Sequence, residues 1–127
     1  MIPLQEWKVI VVEDTYDDSQ LLAHVLTHAG VTTLKARTGA ECLKLMEQHG
    51  DPTMIITDLA MPDMDGWQLL RQLRDDSTTA HIPIIAITAY YSSDVARDAR
   101  SAGFDAFYSK PIKPAQFVDD LKRLMTV

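Results

Sequence analysis

Apolar runs of five to seven residues alternate along the chain with longer segments in which apolar residues recur every three or four positions. The runs are continuously apolar or rich in β-branched and aromatic residues, as is typical of strands covered on both faces. They predict five strands: KVIVV (8–12), VTTLKA (31–36), TMIIT (53–57), IPIIAIT (82–88) and FDAFYS (104–109).

The segments between and after these runs predict amphipathic helices. Their apolar stripes consist of Leu21, Leu22, Val25, Leu26 and Ala29 in the first helix, of Trp67, Leu69, Leu70 and Leu73 in the third, and of Phe117, Leu121 and Leu124 in the fifth. The second helix begins with Thr38 and Glu41 at the spacing of a capping box. The fourth has a thin stripe of Val95, Ala99 and Ala102, so little apolar surface would hold it against the sheet.

Strands that alternate with helices predict an α/β fold, in which a doubly wound, five-stranded parallel sheet is covered by helices on both faces. In such folds, ligands bind beyond the carboxyl ends of the strands. The residues that follow each strand are therefore the first candidates for a functional site.

The composition narrows the class of protein. The 127 residues are predicted to form one domain, 1–127, with a core of about 7–125. A net charge of −6 argues against direct binding of nucleic acid, which depends on basic residues. The single cysteine, Cys42, excludes an internal disulfide and indicates a reducing, cytoplasmic location. We expect no membrane contact, because no apolar run is long enough to span a bilayer or to form a signal peptide.

Chemically active side chains stand at the ends of four of the predicted strands. Glu13 and Asp14 follow the first strand, Asp58 the third and Lys110 the fifth, while the fourth ends in Thr88. Because these strands are parallel, the side chains are expected to converge. Three crowded carboxylates either acquire raised pKa values or are neutralised by a cation, and all-oxygen ligands favour Mg2+. The hydroxyl and the amine could bind a doubly charged tetrahedral anion carried by one carboxylate.

Each of these residues taken alone also has a structural explanation. A strand-end aspartate such as Asp14 often caps the helix that follows it. The functional interpretation depends on the joint arrangement, since acids, hydroxyl and lysine follow separate strands at one edge of the sheet.

Four blocks of the sequence resemble the receiver domains of two-component response regulators. They are VIVVEDTYDD, MIITDLAMPDMDGWQLL, IPIIAITAY and AGFDAFYSKPI, which in this order cover essentially the whole chain. The resemblance implies a flavodoxin-like fold with strand order 2-1-3-4-5. It also implies that Asp58 accepts a phosphoryl group from a phosphohistidine, so that the expected partner is a histidine kinase or a histidine phosphotransfer protein.

The same resemblance implies a Mg2+ site. The ion would be held by Asp14, Asp58 and the backbone carbonyl of Ala60, with Glu13 acting through water. Lys110 would pair with the oxygens of the phosphoryl group.

In the family that this chain resembles, phosphorylation changes the position of two side chains. Thr88 would hydrogen-bond the phosphoryl group, and Phe107 would turn inward to fill the vacated space, although Phe107 is equally explained as a core residue. Together with the thin stripe of the fourth helix, this predicts that a downstream protein binds the face made by the fourth helix, fifth strand and fifth helix. The peptide bond between Lys110 and Pro111 is expected to be cis.

Three residues near the predicted site would modulate it. The small Ala89 leaves room for a phosphoryl group, and Ala60 offers no amide or acid that could orient a water molecule. Tyr90 could hinder an attacking water, contact a partner or lie over its own protein. We therefore expect slow self-dephosphorylation.

Two functions other than that of a phosphoacceptor receiver domain agree with part of the sequence pattern. A Mg2+-dependent phosphatase of the haloacid dehalogenase type also attacks with an aspartate after an apolar strand, but it needs a second aspartate where this chain has Ala60. A degenerate receiver that only binds a partner would not need the acids, the hydroxyl and the lysine. We expect a signalling phosphoacceptor rather than an enzyme, and apparently a stand-alone one, although a piece of a longer regulator or hybrid kinase would have the same sequence.

Overall fold

The chain folds into alternating strands and helices. A computed structural model describes residues 2–61 and 63–126. The elements are β1 (Lys8–Val12), α1 (Tyr16–His28), β2 (Thr32–Ala36), α2 (Gly39–His49), β3 (Met54–Asp58), α3 (Gly66–Asp75), β4 (Ile84–Thr88), α4 (Ser93–Ala102), β5 (Ala106–Ser109) and α5 (Pro114–Leu124). Across these described residues, no helix combines the length and the apolar character needed to cross a membrane.

The five strands form a single parallel sheet in the order β2-β1-β3-β4-β5. The predicted fold class and strand order are therefore confirmed. The chain moves from β1 to the edge strand β2 and then returns to place β3 on the other side of β1. The carboxyl ends of β1 and β3 consequently flank the point where the strand order reverses, which is where such folds bind ligands.

Both faces of the sheet are buried, and successive strand residues supply opposite faces. Val9 and Val11 of β1 pack on the side covered by α1 and α5, whereas Ile10 and Val12 pack on the side covered by α2, α3 and α4. All residues of β3 and β4 are buried. An apolar run that ends in an acid, as β3 ends in Asp58, is thus a central strand that reaches the edge of the sheet.

Several predicted strand boundaries are off by one or two residues. The largest differences lie at the starts of β4 and β5, where apolar residues extend the runs before the strands begin. Ile82 donates its amide hydrogen to a carbonyl of the preceding turn, and Phe104 donates to Ala99 at the end of α4. Both side chains are buried without belonging to the sheet. Burial in a turn and burial in a strand produce the same apolar pattern in the sequence.

The predicted stripe of α1 is wrong at one position. The residues that α1 buries are Ser19, Leu22, Val25 and Leu26. Leu21 is 43% exposed, and Ala29 is half-buried. Leu21 therefore lies beyond the margin of the buried stripe, which is wide enough for the neighbours Val25 and Leu26.

The predicted stripe of α4 is correct at Ala99 and differs at its other two positions. α4 buries Ala96 and Ala99, while Val95 is half-buried and Ala102 is exposed. The fully buried residues of α4 are two alanines, which agrees with the predicted thinness of the stripe. The half-buried Val95 packs against the core beside an open cleft.

We expect Leu22→Ala to lower the free energy of unfolding by roughly 2–5 kcal/mol, since it leaves a cavity in the core. The matched substitution Leu21→Ala on the same helix should change it by less than about 1 kcal/mol. Urea unfolding monitored by circular dichroism measures both. Equal losses would contradict the orientation of α1.

Candidate functional site

The residues singled out in the sequence lie at the carboxyl edge of the sheet. Glu13 and Asp14 follow β1, Asp58 and Thr88 are the last residues of β3 and β4, and Lys110 follows β5. Glu13, Asp58 and Thr88 are 1%, 6% and 2% exposed. Acids that are buried this deeply need partners for their charge.

The ammonium group of Lys110 is bound by three carboxylates. Its Nζ lies 2.7 Å from Glu13 Oε2, 2.8 Å from Asp18 Oδ2 and 2.7 Å from Asp58 Oδ2. An ammonium group has three N–H donors, so all of them are used. Lys110 thereby joins the ends of β1, α1 and β3.

The site nevertheless holds more negative charge than one ammonium can neutralise. Burial raises the pKa of Glu13 to about 7, against the lowering effect of hydrogen bonds from Lys110 and from the amide of Thr15, and the charge of Asp58 adds to the rise. For Lys110, burial would lower the pKa, but hydrogen bonds to Asp18, Asp58 and Glu13 outweigh it, so that its pKa is raised. The lysine stays charged while the glutamate is easily protonated.

The acids are arranged so that a cation could join them. Glu13, Asp14 and Asp58 each offer a carboxylate oxygen, and these atoms lie within 4.8 Å of one another. Oxygen ligands of this kind suit a hard divalent cation. Such a cation would favour the charged form of Glu13 and so offset the effect of burial on its pKa. The residues present therefore fit a divalent metal.

The loop between β3 and α3 turns back over the end of β3. The amide of Ala60 donates to Asp58 Oδ1 at 3.0 Å, and the amide of Gly66 donates to the carbonyl of Leu59 at 3.1 Å. A Cβ atom at Gly66 would collide with the backbone oxygen of Asp58 and lie 3.0 Å from Leu59 Cα. Glycine is needed here because the start of α3 packs directly on the backbone of Asp58 and Leu59.

The β3–α3 loop is rich in acids partly for a structural reason. Asp65 is the N-cap of α3, and its side chain accepts from the amide of Gln68 while Gln68 accepts from the amide of Asp65. This reciprocal pair is a capping box. Asp65 thus has a structural role, whereas Asp58 faces Lys110.

The segment after β4 connects the site to the surface. Thr88 accepts from the amide of Tyr90 through Oγ1 at 3.1 Å, and its carbonyl accepts from the amide of Lys110 at 2.9 Å. Ala89 is exposed and Tyr90 is 76% exposed, so the ring of Tyr90 does not lie buried against its own protein. The peptide bond between Lys110 and Pro111 is cis.

Phe107 lies apart from the acids, on the face formed by α4 and β5. Its half-buried ring packs against the core, and the ring of Tyr91 lies 5.5 Å away from it. Tyr91 itself is 56% exposed. Phe107 is therefore covered by a side chain that belongs to the segment after Thr88.

Asp18 is a residue of the site that was not predicted from the sequence. Asp18 lies in the first turn of α1, where an acid is explained by the helix dipole. A signal was present, because this turn follows β1 directly and must lie at the same edge of the sheet as Asp14. The contact with Lys110, however, depends on side-chain directions that spacing does not specify.

Comparisons with known proteins agree with this geometry. The sequence model of one protein family, the response regulator receiver domain, matches residues 9–122 of this chain. The polar-differentiation response regulator DivK of Brucella ovis is 32% identical over 114 residues, which are 90% of this chain and 92% of that protein.

Solved structures show the same fold. The signal receiver domain of a signal transduction histidine kinase from Syntrophus aciditrophicus is 30% identical with a TM-score of 0.83, covering 94% of this chain and 90% of that one. The chemotaxis protein CheY4 of Vibrio cholerae is 27% identical with a TM-score of 0.85, covering 93% of this chain and 98% of that one. The chain belongs to the response regulator receiver family of two-component signalling.

If the acids of the folded site bind a divalent cation that the unfolded chain does not bind, Mg2+ should stabilise the folded chain. At about 100 times its dissociation constant, the free energy of unfolding should rise by about 2.7 kcal/mol. In Asp14→Asn, the rise at the same concentration should be smaller, as measured by urea unfolding with and without the metal.

Asp119→Asn, an equal change of charge at an exposed position of α5, is the control and should keep the full rise. An equal rise in both variants would argue that the metal does not bind at the acids of the sheet edge.

Proposed function

We propose that Asp58 accepts a phosphoryl group from a phosphohistidine on a histidine kinase or a histidine phosphotransfer protein. The observation that carries the proposal is the position of Asp58 at the end of a buried central strand, bonded to Lys110 and within reach of two other acids. Membership of the receiver family supports the same reaction.

In this reaction a carboxylate oxygen of Asp58 attacks the phosphorus atom, and the bond between phosphorus and the histidine nitrogen breaks. The electron pair of that bond leaves with the imidazole. Lys110, 2.7 Å from Asp58 Oδ2, stabilises the negative charge on the transferring group. The side-chain oxygen of Thr88 accepts a hydrogen bond from the amide of Tyr90. The hydroxyl hydrogen of Thr88 can therefore donate to the phosphoryl group.

The residues that fit a divalent cation would hold Mg2+. Asp14, Asp58 and the backbone carbonyl of Ala60 are the proposed ligands, with Glu13 acting through water. When bound, Mg2+ supplies positive charge that offsets the repulsion between the acids and the incoming phosphoryl group. A bound cation would in turn favour the charged form of the buried Glu13 over its protonated form.

The protein then acts as a switch and not as an enzyme that turns over an external substrate. A downstream protein binds the face formed by α4, β5 and α5 when Asp58 is phosphorylated. Two features support this face: the fully buried residues of α4 are the small side chains Ala96 and Ala99, and the half-buried ring of Phe107 packs beside Tyr91. A helix with little buried apolar area moves at low free-energy cost.

The two other functions are less well supported. A phosphatase of the haloacid dehalogenase type needs a general acid two residues after its nucleophile, and Ala60 has no such group. A receiver that only binds a partner gains nothing from a crowded, partly desolvated cluster of acids, which lowers the stability of the folded state.

Incubation with acetyl phosphate and Mg2+ should increase the mass of the chain by one phosphoryl group, as measured by mass spectrometry. Asp58→Asn should not be labelled, because an amide is not a nucleophile for this reaction. Asp65→Asn is the matched control in the same loop, since asparagine also caps helices, and it should be labelled like the unmodified chain. Labelling of Asp58→Asn, or none in any variant, would refute the proposal.

The phosphorylated chain should lose its label slowly, over minutes or longer, because Ala60 cannot orient a water molecule and Tyr90 stands beside Thr88. Ala60→Gln, which adds an amide near Asp58, should shorten the lifetime of the label. Ala115→Gln on exposed α5 should leave it unchanged. Loss of the label from the unmodified chain within seconds would contradict this expectation.

A further inference from the structure

We propose that Asp18 is a positioning residue, which holds the ammonium group of Lys110 in place while the other partners of Lys110 change during phosphorylation. The inference rests on the proposed function, because it assumes that Lys110 stabilises a phosphoryl group on Asp58. It adds a role for the first turn of α1, whose acid is otherwise explained as a favourable charge at a helix N-terminus.

All three N–H donors of the Lys110 ammonium group are in use. Lys110 donates to Glu13, Asp18 and Asp58 at 2.7, 2.8 and 2.7 Å, and an ammonium group has no fourth donor. A phosphoryl oxygen that binds Lys110 must therefore replace one of these three acids. The exchange leaves the lysine in position only if another acid keeps its bond.

Of the three acids, Asp18 is the one that can keep its hydrogen bond to Lys110 during phosphorylation. Asp58 is the proposed acceptor, so its carboxylate changes chemically when it is phosphorylated. Glu13 belongs to the group of oxygens that could hold a metal, together with Asp14 and Asp58. Among the described residues Asp18 is not in that group, so its carboxylate can stay bound to Lys110 before and after transfer.

The flexible side chain of Lys110 needs contacts that limit its movement. A lysine side chain has four rotatable carbon bonds, and its compact ammonium group has no preferred direction of its own. Asp18 approaches from α1, whereas the backbone of Lys110 is anchored at the end of β4 through the carbonyl of Thr88. These two anchors, on opposite sides of the side chain, limit the positions that the ammonium group can occupy.

The strength of the contact suits this role. The side chain of Asp18 is 41% exposed, against 15% for Lys110 and 0% for Glu13. An ion pair with one exposed partner contributes little to stability. Asp18 can therefore orient the lysine without contributing much to the stability of the folded chain.

The experiment compares the rate of labelling by acetyl phosphate in Asp18→Ala and Asp17→Ala. Asp17→Ala removes the same charge from the same turn, at an exposed neighbouring position. Asp18→Ala should be labelled about two- to five-fold more slowly than Asp17→Ala, which is the range of one partly exposed ion pair. Asp18→Asn keeps an acceptor oxygen and should recover part of the rate. Equal rates in Asp18→Ala and Asp17→Ala would overturn the proposal.

A double-mutant cycle separates positioning from a merely structural effect. If Asp18 acts through Lys110, the Asp18→Ala change should slow labelling in the unmodified chain but not in the Lys110→Ala background. A reduction of the same size in both backgrounds would overturn the proposal, since it would mean that Asp18 acts on helix α1 or on the general charge of the site.

A second measurement does not depend on phosphorylation. The side-chain ammonium signal of Lys110 in a 15N NMR spectrum should show faster hydrogen exchange in Asp18→Ala than in Asp17→Ala, because one of its three acceptors is lost. Unchanged exchange would overturn the proposal. If the unmodified chain is not labelled at all, the proposed function fails, and this measurement still decides whether Asp18 holds Lys110.

Discussion

The ammonium group of Lys110 is the point at which the functional edge of the sheet is held together. It binds acids that follow β1, begin α1 and end β3, and these acids are far from Lys110 in the sequence. Parallel strands bring such residues to one edge, but the same geometry forces like charges together. A single lysine reduces the repulsion without removing it, and the excess negative charge leaves the site suited to a divalent cation.

The orientation of Asp58 follows from two different kinds of contact. Its Oδ1 accepts from the backbone amide of Ala60, and its Oδ2 accepts from Lys110. One oxygen is thus held by the loop between β3 and α3, which can pack on the end of β3 because residue 66 is glycine. The other is held by Lys110, which follows the outermost strand, β5. A carboxylate held through both oxygens has little rotational freedom, which is an advantage where the reaction depends on positioning.

A short segment connects this site to the face of α4 and β5. Thr88 is bonded to the amide of Tyr90, and the next residue, Tyr91, covers Phe107. A displacement of Thr88 would therefore be transmitted through the backbone to the aromatic pair. The same segment lines the cleft beside α4, whose fully buried residues are two alanines. The change of shape is thus proposed for a helix with little buried apolar area, in keeping with the general distribution of stability in folded proteins.

The pattern of apolar and polar residues was enough to predict the alternation of elements, the parallel sheet and the edge at which five site residues lie: Glu13, Asp14, Asp58, Thr88 and Lys110. It could do so because strand patterns are local and because parallel strands all end at the same edge. Three properties became visible only in the folded chain: Leu21 is exposed, Asp18 binds Lys110 together with Glu13 and Asp58, and burial raises the pKa of Glu13. These properties depend on the rotation of a helix, the path of a long side chain and the depth of burial. Each of them is produced by contacts between distant parts of the chain, which local spacing does not encode.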